Sequence, residues 1–452
     1  MTAIASRPIE LPPYEARDLG DGLVLRSATE ADAPELAEFN AMVHGGPPEI
    51  PDTQAAIWTR DLLRGDHPTS PVTDHVVVRE GADGRIVSSC LLISQTWRYG
   101  GIPIDIGRPE LVGTHPAYRG RGLIGAQFEV IHRRSEARGQ LMQGLTGIPN
   151  FYRRFGYEPA LIVPPALIGF PTSIAELPTG GEEPFRFRPV TVEDVPFVVE
   201  MDERSARRSL VAAVRDEAMW RYELTARDPG SDYIHDVVVM ETSDGMRAGL
   251  VAHLNKLHEG GLFSTLIEVR DGVPWSEATG AVLRYVRAAG GRIAERDGER
   301  LRSVGFDLVP EHPLLRLAAS RLPQIGREFA WDVRVADLCR VLPVIAPLLE
   351  GRLAASALSG FTGDLAVTFY RSGVRLTFEQ GRLAVVEPWL PEVVWKAEAA
   401  FPGQTFLYLL FGARSLEQVE GMFPDCRIKS DVARVLVETL FPVAPSVIWP
   451  VG

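Results

Sequence analysis

The chain has 452 residues, of which 45% are hydrophobic and 23% are charged. This composition is typical of a folded globular protein, and the length predicts about three domains of roughly 150 residues each. Lysine and arginine number 47 against 59 aspartates and glutamates, which gives a net charge of −12. Because nucleic-acid binding needs a concentrated basic surface, this charge argues against nucleic acid as the main partner. It is compatible with a cationic substrate.

Cysteine usage and the N-terminal sequence predict a cytoplasmic protein. Cys90, Cys339 and Cys426 lie far apart, so we expect neither a disulfide framework nor a metal site built on paired cysteines. The first twenty residues carry several charges and no apolar run of signal-peptide length. The most apolar stretch, residues 160–170, is too short to span a membrane. We therefore expect no metal centre and no membrane segment.

The first third of the chain predicts a mixed α/β unit. Its elements are, in order, a strand at 23–28, helices near 30–42 and 53–64, strands at 74–80, 85–97 and 104–114, a helix at 121–138, a strand at 141–147, a short helix at 150–155 and a strand near 157–163. The middle third repeats this order more loosely, with strands near 235–241, 247–255 and 262–270 and a helix near 275–288. From Phe329 onward, the pattern predicts a helix at 335–349 and then a β-meander of three short alternating strands between Asp364 and Val386.

One sequence pattern occurs twice. Residues 26–34 and residues 188–196 both read Arg-x-x-Thr-x-x-Asp-x-Pro, and both follow an alternating strand and open a helix. The threonine is a good helix N-cap, and the acidic residue three positions later favours the exposed amides of the first turn. The repeat predicts two related units of about 160 residues each.

The most informative segment runs from Val112 to Phe128, a strand end followed by a glycine-bearing turn and a helix start. Gly120, Gly122 and Gly125 allow the backbone to approach a ligand closely, and the free amides of the helix N-terminus suit a pyrophosphate. Arg119 and Arg121 add positive charge. A glycine cluster alone also fits a helix that packs tightly on a strand, so the downstream sequence is needed to choose between the two interpretations.

These residues resemble the GNAT superfamily of N-acetyltransferases. The acetyl-CoA loop of that superfamily reads Arg/Gln-x-x-Gly-x-Gly/Ala, and Arg119-Gly-Arg-Gly122-Leu-Ile124 matches it except at Ile124, where a small residue is usual. A second segment, Phe151-Tyr152-Arg-Arg-Phe155-Gly-Tyr157, is similar to the Tyr-x-Arg-Phe-Gly-Tyr segment of Eis-type acetyltransferases, which tolerate a larger apolar residue in the loop. The resemblance implies an enzyme that uses acetyl-CoA.

The resemblance also implies a domain organisation. Eis-type proteins have an active GNAT domain, a degenerate second GNAT domain and a sterol-carrier-protein-like (SCP2-like) domain. We accordingly expect an α/β (α+β) fold with tandem GNAT acyl-CoA N-acyltransferase domains at 1–170 and 184–325, followed by an SCP2-like α/β domain at 328–452. The second unit enters its helix through Asp271-Gly-Val-Pro-Trp275, which lacks the Arg-x-x-Gly turn. We therefore expect it to be structural.

Each step of acetyl transfer then receives candidate residues. Tyr152 is the candidate general acid, because a phenol with a pKa near 10 is protonated at neutral pH; the competing interpretation is that its ring only packs beside Phe151 and Phe155. The expected contacts of acetyl-CoA are, along the chain, Val112, Gly113 and Thr114 at the thioester carbonyl, Gly120, Arg121, Gly122, Leu123, Ile124 and Gly125 at the pyrophosphate, and Gly147 and Ile148 at the pantetheine arm.

The general base is the least defined part of the prediction. In Eis-type enzymes the terminal carboxylate of the chain accepts the proton of the substrate, which would assign that role here to Gly452. The end of this sequence does not closely match the family, and an ordinary surface tail is the alternative. His115 at the loop, His132 on an outward helix face and His44 near the pocket are weaker candidates for functional roles. Cys90 is expected to be a small core residue.

Two functions remain open at the level of sequence. The first is an acetyl-CoA-dependent N-acetyltransferase acting on a primary amine of a small cationic substrate, such as an aminoglycoside, a polyamine or a lysine side chain. The second is a non-catalytic coenzyme A- or lipid-binding sensor, in which apolar residues of the meander line a cavity. Those residues are Leu365, Val367, Phe369, Leu376, Phe378, Leu383 and Val385. The resemblance also implies a homo-oligomer, with hexamers known in the family.

Overall fold

A computed structural model describes residues 8–46, 50–81, 84–177 and 179–448. The first stretch of the chain contains strands β1 (Arg17–Gly20), β2 (Leu23–Ser27), β3 (His75–Glu80), β4 (Ile86–Tyr99), β5 (Ile102–Thr114), β6 (Met142–Leu145) and β7 (Glu158–Val163). Its helices are α1 (Ala33–His44), α2 (Thr53–Leu63), α3 (Leu123–Ala137) and α4 (Pro149–Tyr152). The order agrees with the sequence prediction to within a few residues at each end.

The middle stretch repeats the strand and helix order. Its strands are β8 (Leu167–Gly169), β9 (Phe185–Pro189), β10 (Val211–Ala213), β11 (His235–Thr242), β12 (Arg247–Leu254), β13 (Gly261–Val269), β14 (Ser303–Phe306) and β15 (Gln324–Ile325). Its helices are α5 (Val195–Ala206), α6 (Glu217–Thr225), α7 (Trp275–Asp297) and α8 (Pro313–Ala318). Helix α7 runs nine residues past the predicted end and includes Gly290 and Gly291. A side chain at Gly290 would lie 2.7 Å from Leu301, so glycine at this position allows Leu301 to pack closely against the helix.

The last stretch contains strands β16 (Phe329–Val335), β17 (Gly363–Thr368), β18 (Gly373–Glu379), β19 (Arg382–Pro388), β20 (Ala399–Ala400) and β21 (Arg427–Ile428). Its helices are α9 (Leu338–Val344), α10 (Ala346–Ala354), α11 (Phe406–Leu410), α12 (Leu416–Met422) and α13 (Asp431–Leu440). The predicted meander is present as β17–β19. The single helix predicted at 335–349 is wrong: Val335 ends a strand, and prolines at 343 and 347, which lack an amide donor, divide the rest into two helices.

Three sheets organise these elements into a mixed α/β fold. The first has the order β1-β2-β3-β4-β5-β6-β16-β7 with β10 beside β4, the second β15-β8-β14-β13-β12-β11-β9, and the third β19-β18-β17-β20-β21. Strand β8 thus belongs to the second sheet, whereas β10 and β16 belong to the first. The division into three domains stays a prediction, and strand pairing crosses each of its boundaries.

The repeated sequence pattern forms the same structure twice. Arg26 donates two hydrogen bonds to the carboxylate of Asp32, at 2.7 and 2.8 Å, and Arg188 donates two to Asp194, at 2.6 and 3.0 Å. Each carboxylate also accepts the amide of the threonine that precedes the turn. The threonine and the acid were predicted as helix-start residues, whereas the pairing of the arginine with the acid is visible only in the structure.

We expect Asp194→Asn to destabilise the protein at pH 7. The hydrogen bonds from Arg188 lower the pKa of the buried Asp194 carboxyl from 3.8 to about 2, so ionised Asp194 favours the folded state. Allowing for solvent screening, the loss is about 1–2 kcal/mol. Because the folded-state pKa is lowered, the stabilisation is complete above pH 4 and disappears as the pH falls towards 2. Urea unfolding at pH 7 and pH 3 tests this.

The matched control is Arg221→Gln. Arg221 forms an exposed ion pair with Glu217, which lies one turn earlier in the same helix, α6. We expect it to change the free energy of unfolding by less than about 0.5 kcal/mol. An equal decrease in the free energy of unfolding of the two variants would contradict the role given to Asp194.

Candidate active site

Strands β5 and β6 part at the centre of the first sheet. β5 pairs with β4 over its whole length, but it pairs with β6 only at Ile106 and Gly107. On its other edge β6 pairs with β16 from Met142 to Leu145, while β5 continues beyond Gly107 to Thr114 without β6 beside it. One edge of β5 therefore faces a groove, and its backbone groups there have no partner strand.

A bulge in β5 lies beside this opening. Leu111 has a φ of +49°, and the pairing register with β4 shifts between Ser89 and Leu91. The hydroxyl of Ser89 lies 3.1 Å from the carbonyl oxygen of Leu111 and 2.7 Å from Oδ1 of Asn40, whose amide donates to Thr59 at 2.9 Å. Since these polar groups are buried and bonded to one another, they hold the bulge in place.

The end of β5 is held by two further buried polar residues. The hydroxyl of Ser88 lies 2.9 Å from the carbonyl oxygen of Gly113 and 2.7 Å from Oε1 of Gln127, while the amide of Gln127 donates to Val76 at 2.8 Å. A side chain on Gly113 would collide with Val43, so glycine is required for α1 to pack there. Ser88, Gln127 and Asn40 were not predicted from the sequence. The pattern that could have indicated them is a polar residue within an otherwise apolar strand or helix face.

The glycine-bearing loop forms the next wall of the groove. Gly120 and Gly122 have φ values of +78° and +76°, a conformation that favours glycine, and Gly122 is the N-cap of α3. The groove has a volume of about 740 Å³. The predicted residues that line it are Val112, Gly113, Thr114, Gly120, Arg121, Gly122, Leu123, Ile124, Gly125, Ile148 and Tyr152. The structure thus brings together two segments that are about thirty residues apart in sequence.

Tyr152 both packs and faces the groove. Its ring lies 6.0 Å from that of Phe128 and 5.2 Å from that of Phe151, and only 8% of the residue is exposed. Gly147 does not line the groove, but a side chain there would collide with the Tyr152 ring. Gly147 therefore makes room for the tyrosine.

Burial and negative groups keep the Tyr152 phenol protonated. Burial raises its pKa well above the ordinary value, and Cys90, Glu110 and Asp332 add to the rise. Glu110 is itself buried, with its pKa raised by burial and partly offset by Arg108 at 2.7 Å. Both carboxyl oxygens of Asp332 are buried without a hydrogen-bond partner, and burial raises its pKa to about 6. A protonated phenol can donate a proton to a departing anion.

Of the candidates considered, His115, His132 and Cys90 occupy structural positions, whereas His44 lies at the groove. His132, predicted on an outward face, instead lies 2.9 Å from the Tyr157 hydroxyl, and burial lowers its pKa to about 3. His115 caps a short helical turn by accepting the amide of Ala117. His44 lines the groove. Cys90 is a buried core residue, as predicted.

The last stretch of the chain reaches the segment that carries Tyr152. The guanidinium of Arg153 pairs with Glu158 at 2.8 Å, and Glu158 also accepts the hydroxyl of Tyr408 in α11 at 2.8 Å. Strand β16 lies between β6 and β7, and the ring of Trp331 packs 5.5 Å from that of Trp97. These contacts attach α4 and the strands around it to the last stretch.

The C-terminal segment lies against the first sheet as far as it is described. The carbonyl of Pro445 accepts the amide of Leu210 at 2.7 Å, and the hydroxyl of Ser446 accepts that of Val211 at 3.1 Å. Ser446 and Ile448 are 1% and 5% exposed, so this part of the segment is not a surface tail. Gly452 lies outside the described residues.

The meander residues considered for a lipid cavity mostly form a closed core. Leu365, Val367, Leu376 and Phe378 are buried in one continuous cluster with the helices of the last stretch. Phe369 lines a pocket of about 250 Å³ at the edge of that core, together with Leu338 and Phe406. Four of the seven residues considered for a cavity therefore pack against protein.

The described residues contain neither a membrane span nor a metal-binding cluster. None of the helices there is both long and apolar enough to cross a membrane. In the same part of the chain, histidine, cysteine and acidic side chains do not gather in groups of three or more that could hold a metal ion.

Comparison with known proteins identifies the first unit. Residues 24–160 match the family described as the acetyltransferase (GNAT) domain. This range contains β5, the glycine loop and Tyr152. No curated protein matches the sequence significantly.

Solved structures extend the similarity of fold to nearly the whole chain. A GCN5-related N-acetyltransferase from Kribbella flavida is 17% identical with a TM-score of 0.65, covering 95% of this chain and 99% of that one. A probable N-acyltransferase from Enterococcus faecalis is 14% identical with a TM-score of 0.66, covering 94% and 98%. Eis1 from Mycobacterium abscessus is 15% identical with a TM-score of 0.57, covering 93% and 97%.

We expect Gly147→Ala to lower kcat for acetyl transfer at least tenfold, because the new methyl group displaces the Tyr152 ring. The dissociation constant of coenzyme A should change by less than about threefold, since the glycine loop is untouched. Steady-state kinetics and calorimetry measure the two effects. Gly291→Ala, where a side chain has open space in α7, is the control. An unchanged kcat in Gly147→Ala would show that the ring position is unimportant.

Proposed function

We propose that this N-acetyltransferase of the GNAT superfamily transfers the acetyl group of acetyl-CoA to a primary amine of a small cationic substrate by direct attack. The observation that carries the proposal is a single groove in which the free edge of β5, the glycine loop and Tyr152 meet. A thioester placed there has backbone donors at its carbonyl and a phenol at its sulfur. The fold and the groups that line the groove therefore both support acetyl transfer.

Acetyl-CoA is held by this chain's backbone more than by its side chains. The pyrophosphate lies on the amides of the first turn of α3, between Gly120 and Gly125, where the helix N-terminus favours negative charge. The pantetheine arm runs along the free edge of β5, past Ile148. The positive φ values at Gly120 and Gly122 support this assignment, because they turn the backbone without a side chain in the way.

The reaction proceeds by attack of a neutral amine on the thioester carbonyl. The developing oxyanion accepts hydrogen bonds from backbone amides between Val112 and Thr114, on the edge of β5 that has no partner strand. Collapse of the tetrahedral intermediate forms the amide and breaks the carbon–sulfur bond. Tyr152 then gives its proton to the thiolate. The phenol is protonated throughout the physiological range, as this role requires.

The proton of the amine goes to the carboxylate of Gly452 in this proposal. The support is the path of the described C-terminal segment, which lies beside β10 and buries Ser446 and Ile448 against the protein. A carboxylate four residues beyond Ile448 is within chain reach of the first sheet.

The substrate class and cellular setting belong to the same proposal. The net charge of −12 and the buried carboxyls of Glu110 and Asp332 near Tyr152 favour a cationic amine such as an aminoglycoside, a polyamine or a lysine side chain. We also propose a homo-oligomer, with a hexamer as the form to test, in the cytoplasm where acetyl-CoA is available. Analytical ultracentrifugation tests the assembly.

Tyr152→Phe is expected to lower kcat about 100-fold, since the phenyl ring keeps the packing but cannot donate a proton. The dissociation constant of coenzyme A should stay within about twofold of the wild-type value. The test is calorimetry with coenzyme A, followed by an acetylation screen over aminoglycosides, polyamines and lysine peptides. If the wild-type protein does not bind coenzyme A, the proposal fails. Binding without turnover on any amine would favour the sensor function instead.

A two-glycine extension at the C-terminus is expected to lower kcat about 100-fold without weakening coenzyme A binding, because it moves the carboxylate away from Gly452. The same extension at the N-terminus is the control. Full activity of the C-terminally extended protein would exclude the terminal carboxylate as the base and return attention to other groups near Tyr152.

A further inference from the structure

Three arginines surround the outer rim of the groove. Arg119 and Arg121 belong to the glycine loop, and Arg154 belongs to the short helical turn Arg153–Phe155 that follows α4. All three are exposed. Within the described chain, none of them lies within ion-pairing distance of a carboxylate, whereas the neighbouring Arg153 is paired with Glu158. The rim therefore carries positive charge that no side chain in the described part of the chain neutralises.

Aromatic rings hold two of these guanidinium groups at the rim. The guanidinium of Arg121 lies 4.9 Å from the ring centre of Tyr118, and that of Arg154 lies 5.1 Å from the ring centre of Phe151. Tyr118 is fixed in turn, because its hydroxyl donates to Glu80 and accepts from Arg85 at 3.2 Å. Both cations are thus positioned before a ligand arrives, and stacking leaves their N–H groups available to an anion.

The two walls of the groove present different chemistry to coenzyme A. The loop wall offers backbone amides together with Arg119 and Arg121, which is sufficient for the pyrophosphate. The other segment that lines the groove, around Tyr152, offers Arg154 as its cation. Tyr152, the proposed acid, is buried in this segment, whereas Arg154, two residues later, is exposed to solvent. Coenzyme A carries a third phosphate, on the 3′ position of its ribose, on the far side of the pyrophosphate from the thiol.

We propose that Arg154 binds the 3′-phosphate and makes the enzyme select coenzyme A over 3′-dephospho-coenzyme A. The inference rests on the proposed function, because it assumes that coenzyme A occupies this groove. A phosphomonoester carries nearly two negative charges at neutral pH, and the planar guanidinium can donate two parallel hydrogen bonds to it. Arg154 is then a specificity-determining residue at the end of the ligand remote from the reacting atoms.

The test is calorimetric titration of the full-length protein with coenzyme A and with 3′-dephospho-coenzyme A. We expect the wild-type protein to bind coenzyme A about tenfold more tightly. Arg154→Gln should weaken coenzyme A binding about tenfold and leave the affinity for the dephospho form within about twofold. Arg121→Gln should weaken both ligands by the same factor.

Arg133→Gln is the matched control, because Arg133 is an exposed arginine of α3 that pairs with Glu129 outside the groove. It should change neither affinity. Equal weakening of both ligands by Arg154→Gln, or a wild-type protein that binds both equally well, would overturn this inference and leave the proposed function standing. Failure of the wild-type protein to bind either ligand would overturn both.

Discussion

The parting of β5 from β6 is the constraint on which the rest of the site depends. Two neighbouring parallel strands that stop pairing halfway leave backbone amides exposed at the centre of a sheet, where they would otherwise be bonded. Such an opening is costly unless something holds it. Here the bulge at Leu111 redirects the end of β5, the hydroxyls of buried Ser88 and Ser89 lie within hydrogen-bond distance of the carbonyls of Gly113 and Leu111, and Gln127 bonds Ser88 in turn. The groove is therefore a maintained feature of the fold, and the edge of β5 that faces it has no partner strand among the described residues.

The last stretch of the chain completes this arrangement from the other side of β6. Strand β16 pairs with the edge of β6 that faces away from β5, and it lies between β6 and β7. The Trp97–Trp331 contact and the pair of hydrogen bonds on Glu158 then connect β4, α4 and α11. A strand from the last stretch of the chain thus supports the strand next to the opening. Among the described residues, those that line the groove all belong to the first stretch, so the last stretch acts on the groove only through these packing and pairing contacts.

How much of this could be read from sequence depends on the range of the interactions. The glycine loop, the N-caps and the Tyr152 segment are local patterns, and their positions were predicted to within a few residues. Strand β16 was not predicted. Its pairing with β6 depends on residues nearly two hundred positions away, and its last residue, Val335, was assigned to the predicted helix at 335–349. Gln127 and Asn40 were missed for the same reason: a polar residue on a helix reveals its partner only when the sheet beneath it is known. Arg26 and Asp32 both belong to the repeated Arg-x-x-Thr-x-x-Asp-x-Pro pattern, but only the structure shows that the arginine donates hydrogen bonds to the aspartate.

The second unit has the same order of strands and helices as the first but a different entry to its long helix. In both units, parallel strands are joined by a long helix and followed by a short one: β5, α3, β6 and α4 in the first, and β13, α7, β14 and α8 in the second. The groove beside the start of α3 has a volume of about 740 Å³, whereas the pocket beside the start of α7 has a volume of about 210 Å³. Ile174, from the segment that joins the units, is buried beside the start of α7 and lines what remains. Helix α7 follows a turn at Gly272 and begins after Pro274, and it lacks the Arg-x-x-Gly sequence that precedes α3. Because the side chain of Ile174 packs beside its first turns, the same order of strands and helices is used for packing in the second unit.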